Sequence, residues 1–165
     1  MDEQGWTRGG QRDGGHRAGQ AVAALSAQVE TYIKAGLELH DVRRLGRESY
    51  HWDVAAAGKA EDEYRDFLWV CWTWWTSKHQ EKIAGMGRHA DQMWHCHMLL
   101  PRKYEMDCES IFGSGYILDH DPFFDDKVMP AAREEAKVAY DLAGRPFPGE
   151  LIHTCQWSII RQKGG

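Results

Sequence analysis

No Cys-x-x-Cys pair occurs in this chain of 165 residues, so the clearest spacing for a zinc or dithiol site is missing. No apolar run approaches the roughly 20 residues of a membrane-spanning helix. The longest candidate, residues 67–75, is too short. Long basic runs are also lacking. The densest, Val42-Arg43-Arg44-Leu45-Gly46-Arg47, is brief, and 20 basic residues face 25 acidic ones for a net charge of −5. Nonspecific nucleic-acid binding needs a larger positive footprint, so neither a membrane nor a nucleic acid is expected as partner. The opening residues are polar and Gly-rich, unlike a secretory signal, which makes the cytoplasm the expected location. Their glycines do not have phosphate-loop spacing, and no Lys-Ser/Thr follows. Neither internal repeats nor a second domain is expected from the pattern of these residues.

What is present fits one domain. A domain of this length owns a core without disulfides or metal, so a metal here would serve function before stability. Residues 1–16 hold little apolar material and read as a flexible Gly-rich tail. Residues 17–165 read as a single all-α domain, a compact array of about five helices with an extended C-terminal strap.

Apolar spacing of three and four residues predicts the helices. Val22, Leu25, Val29, Tyr32, Ile33 and Leu37 mark one over about 17–39, weakened by Gly36 near its end. A short polar segment follows, then a short helix over 48–57 carrying Tyr50 and Trp52. A helix over 59–79 is apolar around most of its circumference, with Tyr64, Phe67, Leu68, Cys71, Trp72 and Trp75 as its stripe. Such a helix is either central in the core or meets a partner or ligand. A further helix spans about 88–99. Pro101 suits the first turn of the next, 101–112, and Gly113 is placed to end it. Residues 115–120 read as a loop, and Pro130 opens a last helix over 130–142. The strap alternates His153, Cys155, Trp157 and Ile159 with more polar positions, but an isolated strand makes no sheet.

The chemistry gathers between Trp94 and His120. His95, Cys96 and His97 lie in a row, Asp107 and Cys108 follow ten residues on, and His120 comes after the next loop. Imidazole and thiolate are natural ligands for zinc, iron or copper. Asp91 stands four residues before His95, at the spacing that shares a helix face. A carboxylate there would fix the imidazole's tautomer and raise its basicity. Helix geometry adds a constraint. Residues i and i+2 lie roughly 200° apart, so His95 and His97 cannot share one ion in regular helix. Either the helix loosens near Trp94, or the two histidines have different jobs. Three readings of the cluster stay open: a bound metal, a satisfied buried network of His, Asp and Cys, and a Cys–His nucleophile pair. His153 and Cys155 share a face if extended and are candidates to complete a site.

These elements resemble the glycine-rich domain-containing protein-like family. The resemblance rests on Tyr64, Phe67, Leu68 and Trp69; on Asp91, Trp94, His95 and His97; on Tyr104, Asp107, Cys108, Phe112 and Gly113; and on His120 with Pro122. It implies that the tryptophan, the histidines and the Asp-Cys pair belong to one unit, and it carries no residue roles. The segment between Trp75 and His89 departs from the family's form in being richer in Lys, His and Gln.

Two functions are expected. The first is a metal-dependent enzyme acting on a small organic molecule, a lyase, hydrolase or oxidoreductase. Its ligands would be His95, His97, Cys108 and His120, its orienting or basic carboxylates Asp91 and Asp107, and its pocket Trp72, Trp75, Trp94 and Tyr104. Zinc is the first expectation, with iron or copper as alternatives. The second is a non-catalytic helical binding module in which the cluster is structural and the Trp-rich helix meets a partner. The same aromatic excess makes a homodimer an expectation.

Overall fold

A computed structural model describes residues 13–77, 83–84, 86–121, 129–149 and 156–162. Pro122, His153 and Cys155, and most of the expected Gly-rich tail, lie outside them. The fold is the expected all-α array. Its elements are α1 (Asp13–Thr31), a π turn (Tyr32–Gly36), α2 (His40–Tyr50), α3 (Val54–Thr76), β1 (Ile83–Ala84), α4 (Arg88–Met98), α5 (Pro101–Phe112), β2 (Tyr116–Asp121), α6 (Met129–Ala143) and β3 (Gln156–Arg161).

Helix α3 is the centre. Tyr64, Phe67, Leu68, Val70 and Cys71 are almost fully buried, and Trp69, Trp72 and Trp74 are nearly so. Helices α4 and α6 pack against it. Its aromatic excess is therefore spent largely inside the domain. Trp69 stacks on Trp72 with centroids 5.2 Å apart, and its indole N–H donates to the Ala143 carbonyl at 3.0 Å.

The chain enters α3 differently from the expected helix over 48–57. Helix α2 ends at Tyr50, His51 turns left-handed at φ 56°, and Asp53 caps α3 by accepting from the Ala56 N–H at 2.8 Å. An Asp cap satisfies an N–H that the start of a helix leaves unpaired. The supposed polar segment is helical because Val42 and Gly46 sit one turn apart on a buried face. The first helix begins earlier than expected, at Asp13 inside the expected tail, and its α-helical part ends at Thr31. Its last turn widens into the π turn, where the Leu37 N–H reaches the Tyr32 carbonyl at 2.7 Å. Arg65, held by Glu61, donates to the Ile33 and Leu37 carbonyls that this irregular backbone leaves open.

The region expected as a loop over 115–120 is strand β2, and it gives the C-terminal strap a partner. Strand β3 lies between β1 and β2, antiparallel to both. The register sets Leu118 opposite Ile159 and His120 opposite Trp157. Trp157 is buried and meets Phe67 edge-on at 6.0 Å, so the small sheet is pinned to α3. This pinning brings His120 to α4.

Candidate metal centre

Helix α4 is regular from Arg88 to Met98. His95 and His97 therefore point to opposite sides, and each has its own set of partners.

On one side stand Asp91, His95 and His120. One ligand atom from each lies within 4.8 Å of the other two, an arrangement able to hold a metal ion. Asp91 Oδ2 is 3.2 Å from His95 Nδ1, one helical turn away. His95 Nε2 faces His120 Nε2 at 3.1 Å, and His120 Nε2 is 3.8 Å from Asp91 Oδ1. Two ligands on a tetrahedral zinc, each roughly 2.1 Å from the ion, stand about 3.4 Å apart. The two separations at His120 Nε2 bracket that value.

The hydrogen bonds also prepare the nitrogens. An ionised carboxylate only accepts, so the Asp91 contact keeps the proton of a neutral His95 on Nδ1. The lone pair of Nε2 then faces His120, the second-shell pattern common behind metal-bound imidazoles. Asp91's bond raises the pKa of His95 against the effect of its burial. Burial lowers that of His120, and the neighbouring His95 adds to the effect. His120 is framed from below by Trp94, whose ring is 4.8 Å away. The Trp94 indole N–H donates to the Tyr104 hydroxyl at 2.8 Å, and that hydroxyl donates to the Leu118 carbonyl on β2. Trp94 and Tyr104 thus tie α4, α5 and β2 together beneath the group. Asp91 and His120 are largely covered, whereas the His95 side chain is 40% exposed.

On the other side His97 is buried. Its Nε2–H donates to Asp107 Oδ2 at 2.9 Å, and its Nδ1 accepts from the Tyr64 hydroxyl at 2.9 Å. Asp107 also meets Lys103 Nζ at 2.9 Å and accepts from the Tyr32 hydroxyl at 2.9 Å. Burial pushes the Asp107 carboxyl up, but the bonds from His97, Lys103 and Tyr32 outweigh it and hold the pKa below the usual range. Every polar atom of His97 is engaged, and no face of the ring is open to a ligand.

The structure thus gathers Asp91, His95 and His120, sets the expected pocket residues Trp94 and Tyr104 beneath them, and places the remaining expected residues elsewhere. His97 and Asp107 lie in the buried network. Cys108 is buried beside Tyr104 and the Leu118 backbone, with its thiol pushed up to about 11 by burial. Cys96 is likewise raised to about 11. Neither thiol ionises near neutral pH, so neither is poised as a nucleophile. Trp72 is stacked on Trp69, and Trp75 packs on Phe112 and Tyr116 at 6.1 and 5.1 Å, away from the histidine pair. Tyr32, Tyr64 and Lys103 were missed as site residues. Only Lys103 had a local signal, its i,i+4 spacing to Asp107.

No family model, curated protein or solved structure matches this chain. A helical fold with a two-histidine, one-carboxylate group is what geometry alone defines. Among the described residues no helix is long and apolar enough to cross a membrane.

Proposed function

We propose that Asp91, His95 and His120 hold one divalent metal ion, and that the protein is a metal-dependent enzyme acting on a small organic molecule. The observation that carries this reading is the convergence of two imidazole nitrogens and a carboxylate oxygen within 4.8 Å. Three protein ligands leave a coordination position for a substrate or water, as catalytic sites do and closed structural sites do not. The exposed side of His95 supplies the approach. The ion would supply Lewis acidity. Asp91 would orient the His95 ring, and the Trp94–Tyr104 pair would hold His120 in place. A set with nitrogen and oxygen donors and no thiolate suits zinc or ferrous iron. Zinc remains the first assignment.

The second reading, a binding module with a structural polar network, has one observation in its favour. Two imidazole nitrogens 3.1 Å apart are also satisfied by a proton between them. Elemental analysis of protein purified without a chelating tag, in medium supplemented with zinc and iron, separates the two. One metal per chain is expected in the wild type and in Cys108→Ala, with loss in His120→Ala. A metal-free wild type under those conditions would leave the proton-sharing network and remove the enzyme. Metal retained by His120→Ala would remove the ligand set.

A further inference from the structure

The brief basic stretch of the sequence lies on α2, and the structure gives it a cavity. A space of about 690 Å³ is lined by His40, Arg43, Arg44, Arg47, His51 and Trp52, with Glu48, Val54 and Ala57. None of the metal-centre residues lines it. Its size is that of a small-molecule site. Three guanidinium groups face one carboxylate in the lining, so its charge is positive even with both histidines neutral. Arg43 is held through Nε by Glu61 at 3.0 Å and Arg44 through Nε by Glu48 at 3.2 Å. Arg47 follows Arg43 at four residues, one turn along the same face.

The wall is also shaped. His51 adopts the left-handed conformation at φ 56°, uncommon for a residue with a side chain. That turn folds Trp52 back over α2, where its ring occupies the space a Cβ at Gly46 would need, 2.1 Å from the nearest ring atom. Tyr50 supports the indole, with ring centroids 5.2 Å apart. Cationic groups about 6 Å apart along the helix axis, beside a fixed aromatic wall, form a recognition surface for a spaced pair of anionic groups.

We propose that this cavity binds a small polyanion carrying two or more phosphate or carboxylate groups, gripped by Arg43, Arg44 and Arg47. The proposal does not depend on the metal centre. Guanidinium pairs with either oxyanion through charge-assisted, often bidentate bonds.

Isothermal titration of the full chain at low salt tests it, with inorganic diphosphate and citrate as probes. Binding of one diphosphate per chain, or of one citrate, is expected, and the stronger probe identifies which oxyanion the site prefers. Affinity is expected to fall about tenfold or more in Arg47→Ala and further in Arg44→Ala/Arg47→Ala, since each lost charged hydrogen bond is worth that much. Arg133→Ala, an exposed position on α6, and His120→Ala are expected to bind as the wild type does. Arg44 and Arg47 are themselves exposed, so these variants are expected to fold, as circular dichroism will show. The proposal is overturned if neither probe binds, or if Arg133→Ala loses as much as Arg47→Ala. It is also overturned if binding disappears in His120→Ala but survives the arginine changes, which would place the anion at the metal group. A short single-stranded oligonucleotide that binds more tightly than either probe would equally overturn it.

Discussion

Asp107 shows how one buried carboxylate sets the behaviour of its neighbours. It accepts from His97 and Tyr32 and meets Lys103, so its charge is favoured despite burial. The folded pKa lies below the unfolded value of about 3.9. Its contribution to stability is therefore complete above that value and is lost as pH falls through the folded pKa. Asp107→Asn is expected to unfold at lower denaturant at pH 7, and its stability is expected to change less than that of the wild type below about pH 4. Parallel acid limbs in the two proteins would remove this role. His97 and His95, two residues apart, are expected to answer mutation in opposite ways. His97→Ala leaves Tyr64 and Asp107 without a shared partner inside the core, a cost of about 2–4 kcal/mol. His95→Ala, at a half-exposed position, is expected to change metal-free stability by less than about 1 kcal/mol. Urea titration of apo proteins measures both, and equal losses would mean that the two histidines share one environment.

At the level of elements, the glycines of α2 and α3 make a paired test. Gly46 lies under the Trp52 ring, so a methyl group there must displace the indole. Gly46→Ala is expected to lose about 1–3 kcal/mol. Gly58 stands in the first turns of α3 with open space around its Cβ position. Gly58→Ala is expected to gain about 0.5–1 kcal/mol from helix propensity and a less flexible unfolded chain. Thermal unfolding of both variants checks the packing of the α2–α3 corner, and a stable Gly46→Ala would contradict it. The same elements show what the sequence reveals locally. Pro101 and Gly113 bracket α5 at both ends, because each acts through its own backbone. The break at His51 had no such marker. A histidine in the left-handed region is held there by Trp52 folding over Gly46 and by the Asp53 cap, which only the packed corner specifies.

For the molecule as a whole, the helical architecture was legible and the composition of the site only partly so. Apolar periodicity indicates α3, α5 and α6 because a helix carries its pattern within itself, and α4 is bracketed by its flanking glycines and Pro101. Strand β2 resembles a loop in the sequence because its partner is distant, with Tyr116 paired to Arg161 and Asp121 to Gln156. That pairing also decides which residues meet. Asp91 and His95 share a helix face by spacing alone, whereas the i,i+2 spacing leaves open whether His95 and His97 share an ion until α4 is seen to be regular through Met98. His120 joins His95 through tertiary packing, with Trp157 pinning the sheet to Phe67 and the Trp94–Tyr104 pair holding β2 to α4 and α5. Cys108 was read as inward-facing from its stripe, and it is, but the inward side of α5 leads to Tyr104 and Leu118 and not to the histidine pair.

The division of labour between His95 and His97 is tested most directly by the metal-to-protein ratio of two variants, His95→Ala and His97→Gln, purified side by side from metal-supplemented medium. The expected result is that His95→Ala loses the metal while folding normally, and that His97→Gln keeps it while unfolding at lower denaturant. Metal lost from folded His97→Gln and retained by His95→Ala would contradict a centre built from Asp91, His95 and His120.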